Sequence, residues 1–182
     1  MANIRVIKQG INVSKILKQL QQNVSDWDSQ KNIEGVQDLV DGYGFPAVQA
    51  SVLQLKMGVV QPDQYVGDSE TSAETPAYKR HTEIVGFLKR NFKRFDRCGF
   101  LSLPIGGEVG QHIDIGSYYQ TRDRYHLAIQ GTYDYTVGGE TVRVNPGDLI
   151  WFNNKLSHGT KNVGTVVRIT FVFDVPHCKN NP

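Results

Sequence analysis

The chain has 182 residues and a mass of 20.4 kDa, which suits one domain, and its 39% hydrophobic residues can fill a core, so disorder as a whole is excluded. A net charge of +2 gives no global reason to expect a nucleic-acid partner. No stretch approaches the roughly 18 apolar residues of a membrane-spanning helix, and Met1-Ala2-Asn3-Ile4-Arg5 is not followed by a signal-peptide apolar run, so a cytoplasmic protein with no membrane partner is expected.

In chain order, Ile16, Leu17, Leu20, Val24 and Trp27 follow helical spacing and predict a helix over about 12–25, capped by Asn12 or Ser14. Leu53, Leu55 and Met57 alternate with Gln54 and Lys56, so 48–57 reads as a strand with one wet face that joins a later sheet. The polar run QPDQYVGDSETSAETP over 61–76 predicts a mobile surface loop, with a lid as one use. Ile84, Val85, Leu88, Phe92 and Phe95 then predict an amphipathic helix over 77–94. This helix and its exit carry Lys79, Arg80, Lys89, Arg90, Lys93, Arg94 and Arg97 against Glu83 and Asp96. A solvated face is the plainer explanation, and an acidic partner the alternative.

From Cys98 onward, short strand-like runs alternate with turn signals, the pattern of a compact all-β barrel or sandwich. The expected organisation is a single domain, with a helix-and-strand support region over 1–96 and a β core over 97–177. Gly138-Gly139 between TYDYTV and ETVRV suits a type I′ hairpin turn, which needs positive φ at both positions. Trp27 and Trp151 read as core anchors, and Cys98 and Cys178 as reduced packing residues, too few for a disulfide framework. His81 and His177 read as surface or packing residues.

The chemistry is carried by polar residues inside the later strands. His112 and Asp114 lie two apart, so on a strand both project from one face and can grip one ion. His158 could add a third ligand, and two histidines with one carboxylate form the facial set of non-haem iron sites. Zinc with an activated water uses the same donors. Arg168 sits in the apolar run VVRITFVF on one face with Val166, Thr170 and Val172. A buried guanidinium needs a partner, either a structural carboxylate or a bound one. In RYHLAIQ, Arg124, His126, Ala128 and Gln130 share a face. Tyr118, Tyr119 and Arg122, in an expected mobile loop over 116–123, are candidate substrate contacts.

The order His112-x-Asp114, Arg124-x-His126, His158, Arg168 and Phe173-Asp174-Val175 resembles the aspartyl/asparaginyl β-hydroxylase family of iron(II)/2-oxoglutarate dioxygenases over about 97–177. Asn145-Pro146-Gly147-Asp148 through His158-x-x-x-Asn162 is similar to the second cupin signature. The resemblance implies a mainly β fold with flanking α-helices, built on a double-stranded β-helix (jelly-roll, cupin-like) core. It implies that His112, Asp114 and His158 bind Fe(II), that Arg168 holds the distal carboxylate of 2-oxoglutarate, and that Arg124 and His126 contact this cosubstrate or line its pocket. With O2, the implied reaction is hydroxylation of an amino-acid side chain, free or within a peptide or protein. The chain keeps the carboxylate ligand, as do family members acting on free amino acids such as proline. A zinc hydrolase and a non-enzymatic cupin-like module binding an acidic small molecule are the alternatives. The oligomeric state is not legible.

Overall fold

The structure is a computed structural model that describes residues 2–27 and 51–177; Cys178 and residues 48–50 of the expected strand lie outside them. Eleven strands form among the described residues: β1 (Ile4–Lys8), β2 (Ser51–Gly58), β3 (Ser72–Glu74), β4 (Cys98–Leu103), β5 (Glu108–His112), β6 (Arg122–Gln130), β7 (Tyr133–Val137), β8 (Glu140–Val144), β9 (Leu149–Phe152), β10 (His158–Asn162) and β11 (Arg168–Pro176). They pair antiparallel into a seven-stranded sheet, β1-β9-β6-β11-β4-β2-β3, and a four-stranded sheet, β5-β10-β7-β8.

Strict alternation along the strands sorts the side chains into two cores. Ala128, Ile150 and Phe152 of the larger sheet meet Tyr133, Tyr135, Val137 and Val144 of the smaller one inside the barrel. Leu53, Leu55, Phe100, Leu127, Phe171 and Phe173 point the other way, onto Ile16 and Leu20 of α1 (Ser14–Gln22) and Ile84 and Leu88 of α2 (Thr82–Asn91). The expected jelly roll with helices on one side is therefore the observed fold. The β7–β8 hairpin turns at Gly138 and Gly139, with φ of 53° and 85°, as a type I′ turn demands.

Several expectations need correction. The first helix is shorter than 12–25 and is followed by a 3₁₀ turn, Val24–Asp26; the second begins only at Thr82, after a 3₁₀ turn over Pro76–Lys79. β1 was not expected, although Ile4 reaches the barrel interior and the strand covers the edge of β9. The 61–76 segment is anchored rather than loose: β3 extends the sheet, Arg97 Nη2 donates to the carbonyls of Val66 (2.7 Å) and Ser69 (2.6 Å), and Arg122 pairs with Glu70. The 116–123 segment is likewise packed: α3 (Ser117–Gln120) buries Tyr118 and Tyr119, and Arg122 is buried against Asp96 and Glu70. Trp151 is half-buried, stacked under Arg5 and donating to Asp123, whereas Trp27 packs on Phe100. The basic cluster does not form one face, because Arg80 turns to Asp26, Lys89 lies over Tyr78 and Arg97 turns inward over Tyr118.

His81 is a buried packing residue, its Nε2 2.9 Å from Asp26 Oδ2, and this contact ties the α1 end to the start of α2. Burial lowers the His81 pKa below its ordinary 6.5, and Asp26 offsets this only in part. The folded state therefore resists the proton that the unfolded chain accepts below about pH 6.5, so stability falls as pH drops through that value. Thermal melts from pH 8 to pH 4.5 should show this fall, and His81→Gln should make it shallower, leaving the share that His126 and His158 contribute. A melting temperature independent of pH in the wild type would contradict it.

Candidate metal centre

β5 and β10 pair so that His158 lies directly across from His112, and their ring centroids are 4.4 Å apart. Asp114 follows just past the end of β5, where its backbone N–H reaches Asn154 O on the opposite sheet's side. One donor atom each from His112, Asp114 and His158 falls within 4.8 Å of the others, and His158 Nε2 lies 3.8 Å from Asp114 Oδ1. His112 Nδ1 contacts Gly110 O at 2.9 Å and His158 Nδ1 contacts Leu156 O at 2.8 Å. Donation through Nδ1 makes Nε2 the lone-pair nitrogen in each ring, the tautomer a metal needs. Burial pushes His158 down to about 4, so it is neutral at pH 7.

Arg124 stands behind Asp114. Its Nη1 is 3.0 Å from Asp114 Oδ2, while Nε and Nη2 form a two-pronged pair with Asp174 at 2.7 and 2.9 Å. Tyr118 Oη donates to Asp174 Oδ2 at 3.1 Å and accepts the Arg97 N–H at 3.1 Å. Burial works against the Arg124 charge, but Asp114 and Asp174 more than offset it and hold the group protonated. The resemblance implies a place for Arg124 beside the cosubstrate; the structure commits its guanidinium to two carboxylates.

Deeper in the barrel, β11 points Arg168 and Thr170 inward. Arg168 is 1% exposed, and its guanidinium carbon lies 4.3 Å from the Tyr133 ring centroid. Its Nε and Nη2 make no well-formed hydrogen bond, nor do Thr170 Oγ1, Tyr133 Oη and His126 Nδ1, although the Tyr133 hydroxyl interacts with both Arg168 and Thr170. Burial pulls the Arg168 pKa down. His126 packs edge-on to Tyr135 and Phe152. Its pKa is held far below the ordinary value by burial, then by the charges of Arg168 and Arg124, so it is neutral. Buried polar atoms are nearly always satisfied in folded proteins, and so many orphans side by side mark a volume shaped for a polar guest. Thr170 was legible as sharing the face of Arg168; the inward pair Tyr133 and Tyr135 was legible from the alternation in TYDYTV.

A cavity of about 220 Å³ adjoins Asp114 and Arg124 on the inner face of β2, β4 and β11, with Tyr119 in its wall. Tyr118 and Arg122 instead serve the ion-pair networks, and His177 pairs loosely with Asp123 at 3.5 Å. Asn162 donates to the carbonyls of Leu103, Pro104 and Val166, closing the far end of the barrel.

Two facing antiparallel sheets with a His/Asp/His cluster at the barrel mouth define a cupin fold carrying a candidate metal centre. Residues 102–173 match the Cupin domain family model; this match supports the cupin part of the expectation and not the narrower β-hydroxylase family that the motif order resembles. Similar solved structures include a protein described as a predicted oxalate decarboxylase from Thermotoga maritima, at 12% identity over 70% of this chain and 80% of that one, with a TM-score of 0.43. The cupin domain of Schizosaccharomyces pombe Cnp3 is 16% identical over 44% of this chain and 55% of that one, with a TM-score of 0.39. An oxalate oxidase in complex with glycolate is 16% identical over 44% and 41%, with a TM-score of 0.38. No curated protein matches the chain. Among the described residues no helix is long and apolar enough to cross a membrane.

Proposed function

We propose that the protein is an iron(II)/2-oxoglutarate-dependent dioxygenase that hydroxylates an amino-acid side chain, free or within a peptide or protein. The observation that carries this reading is the buried Arg168 guanidinium, two of whose nitrogens lack partners inside the same barrel that presents His112, Asp114 and His158. Three donors with two imidazoles and one carboxylate suit iron(II) and leave coordination positions open. Arg168 suits the far carboxylate of a dicarboxylic acid, which it would bind through two parallel N–H donors. Bound iron(II), 2-oxoglutarate and O2 would supply the oxidising power for breaking an unactivated C–H bond.

The protein's own residues bind, orient and exclude water. Arg168 fixes the depth of the cosubstrate, with Thr170 available as a further donor. Neutral His126, Tyr135 and Phe152 wall the space between Arg168 and the cluster without adding charge. Arg124 holds Asp114 by one oxygen, leaving Oδ1 on the side of His158. A zinc hydrolase would leave the orphaned Arg168 donors without a dicarboxylate, whereas a binding module would occupy them and consume no O2.

Anaerobic addition of iron(II) and 2-oxoglutarate should give the weak visible charge-transfer band of a chelated complex, and Asp114→Ala should abolish it. Iron bound without a band would remove the 2-oxoglutarate reading, and a band unchanged in Asp114→Ala would remove that residue from the ligand set.

A further inference from the structure

We infer that the cavity beside Asp114 binds a small organic anion as the primary substrate, an apolar body with one carboxylate directed at Arg97. This rests on the dioxygenase reading, which makes Asp114 the edge of the reacting centre.

Size comes first. A cavity of roughly 150 Å³ accommodates benzene, so about 220 Å³ holds about nine non-hydrogen atoms on the same scale. That is one amino-acid-sized molecule. Its walls toward the barrel are Val52, Met57, Leu101 and Val172, which suit an aliphatic body and offer no hydrogen bonds to it. Asp114 and Arg124 both line it, so a molecule filling it reaches the metal cluster at Asp114.

Charge comes second. The charged groups around the cavity are Lys56, Arg97, Arg124, Asp114 and Asp174. Arg124 is matched by both aspartates, and Lys56 Nζ donates to Phe95 O while lying over the Phe95 ring. Neither Lys56 nor Arg97 meets a carboxylate among the described residues, but only Arg97 of the two keeps a buried donor unused: its Nη2 donates to two carbonyls, its guanidinium carbon is 3.8 Å from the Tyr118 ring centroid, and its buried Nε has no partner. This partly buried guanidinium keeps an unused donor that a carboxylate would complete. The Tyr119 ring spans the two positions, its centroid 5.8 Å from the Arg97 carbon and 4.8 Å from that of Arg124, so a molecule of this size reaches from Arg97 to the cluster. A polypeptide substrate would need a groove on both sides of its reacting residue. Beside Arg97 that path is blocked, where the Val66–Asp68 turn packs so closely on Gly116 that a Cβ there would meet Gly67 O at 2.1 Å.

The test uses the full chain, loaded anaerobically with iron(II) and 2-oxoglutarate. Calorimetry compares 4-methylpentanoate with its neutral isostere 4-methylpentanamide and with a blocked tripeptide carrying a central leucine. The acid should bind about ten- to a hundredfold tighter than the amide, as a charge-assisted pair requires. Arg97→Gln should erase the difference, and Arg97→Lys should restore part of it. Leu101→Phe, which fills the cavity and leaves Arg97 in place, should weaken acid and amide together. Equal binding of acid and amide, tighter binding of the tripeptide, or no binding of the acid at millimolar concentration overturns the proposal. The charge-transfer band separates this from the parent reading. A band without acid selectivity sinks the anion site alone, and acid selectivity without a band sinks the dioxygenase reading while the anion site stands.

Discussion

Arg168→Met is expected to raise the melting temperature of the metal-free protein while removing its stabilisation by 2-oxoglutarate. In the wild type a guanidinium 1% exposed faces Tyr133 with two nitrogens unpartnered. The cation–π contact returns about 1–2 kcal/mol, less than burying an unmatched charge costs. Methionine has a similar reach, fills the space beside Tyr133 and carries no charge, so the variant should gain about 1–3 kcal/mol, at about 2–4 °C per kcal/mol for a chain of this length. Ligand should close or reverse this gap. The wild type with iron(II) and 2-oxoglutarate at about one hundred times Kd gains about 2.7 kcal/mol, and the variant should gain almost nothing from the 2-oxoglutarate. Anaerobic differential scanning calorimetry of both proteins, with and without 2-oxoglutarate, checks this. A variant that melts lower than the wild type and still responds to 2-oxoglutarate would show Arg168 to be structural.

The legible parts of the molecule were those set by period alone. Tyr125, Leu127 and Ile129 against His126 and Ala128, or Phe171 and Phe173 against Arg168 and Thr170, sort to opposite faces because side chains on a strand alternate. That pattern predicted a barrel or sandwich and put Arg168 with Thr170, and His126 with Arg124, on single faces; the jelly roll itself was what the family resemblance implied. Less legible were features decided by tertiary partners. The 61–76 run reads as loose because it is polar, yet its backbone carbonyls at Val66 and Ser69 are bound by Arg97, a residue that sequence spacing assigns to a solvated basic face. Asp26 and His81 lie 55 apart in sequence, and no local pattern joins them. The ligand cluster was legible as residue types, but its geometry depends on the register of β5 against β10, which no single strand reveals. Arg124 and Asp174 are similar: opposed residues on β6 and β11 become one ion pair only once the two strands are neighbours.

That pair underlies the second large effect. Arg124→Leu should destabilise the metal-free protein by about 3–5 kcal/mol, since it strands the buried Asp174 and leaves Asp114 without its cation. Loss of a group that orients a ligand should also weaken iron(II) by about ten- to a hundredfold. The two effects have different origins and are separable. Adding Asp174→Asn removes the stranded charge while keeping an oxygen that can accept the Tyr118 hydroxyl, so the double variant should recover most of the lost stability. It should not recover metal affinity, because nothing then fixes Asp114 Oδ2. Arg124→Lys should also fall short on metal, since one ammonium cannot reproduce a guanidinium that grips Asp174 with two nitrogens and Asp114 with a third. Metal titration beside urea denaturation of the three variants decides the matter: recovery of both quantities together in the double variant would mean that Arg124 acts only on stability and has no hold on the metal centre.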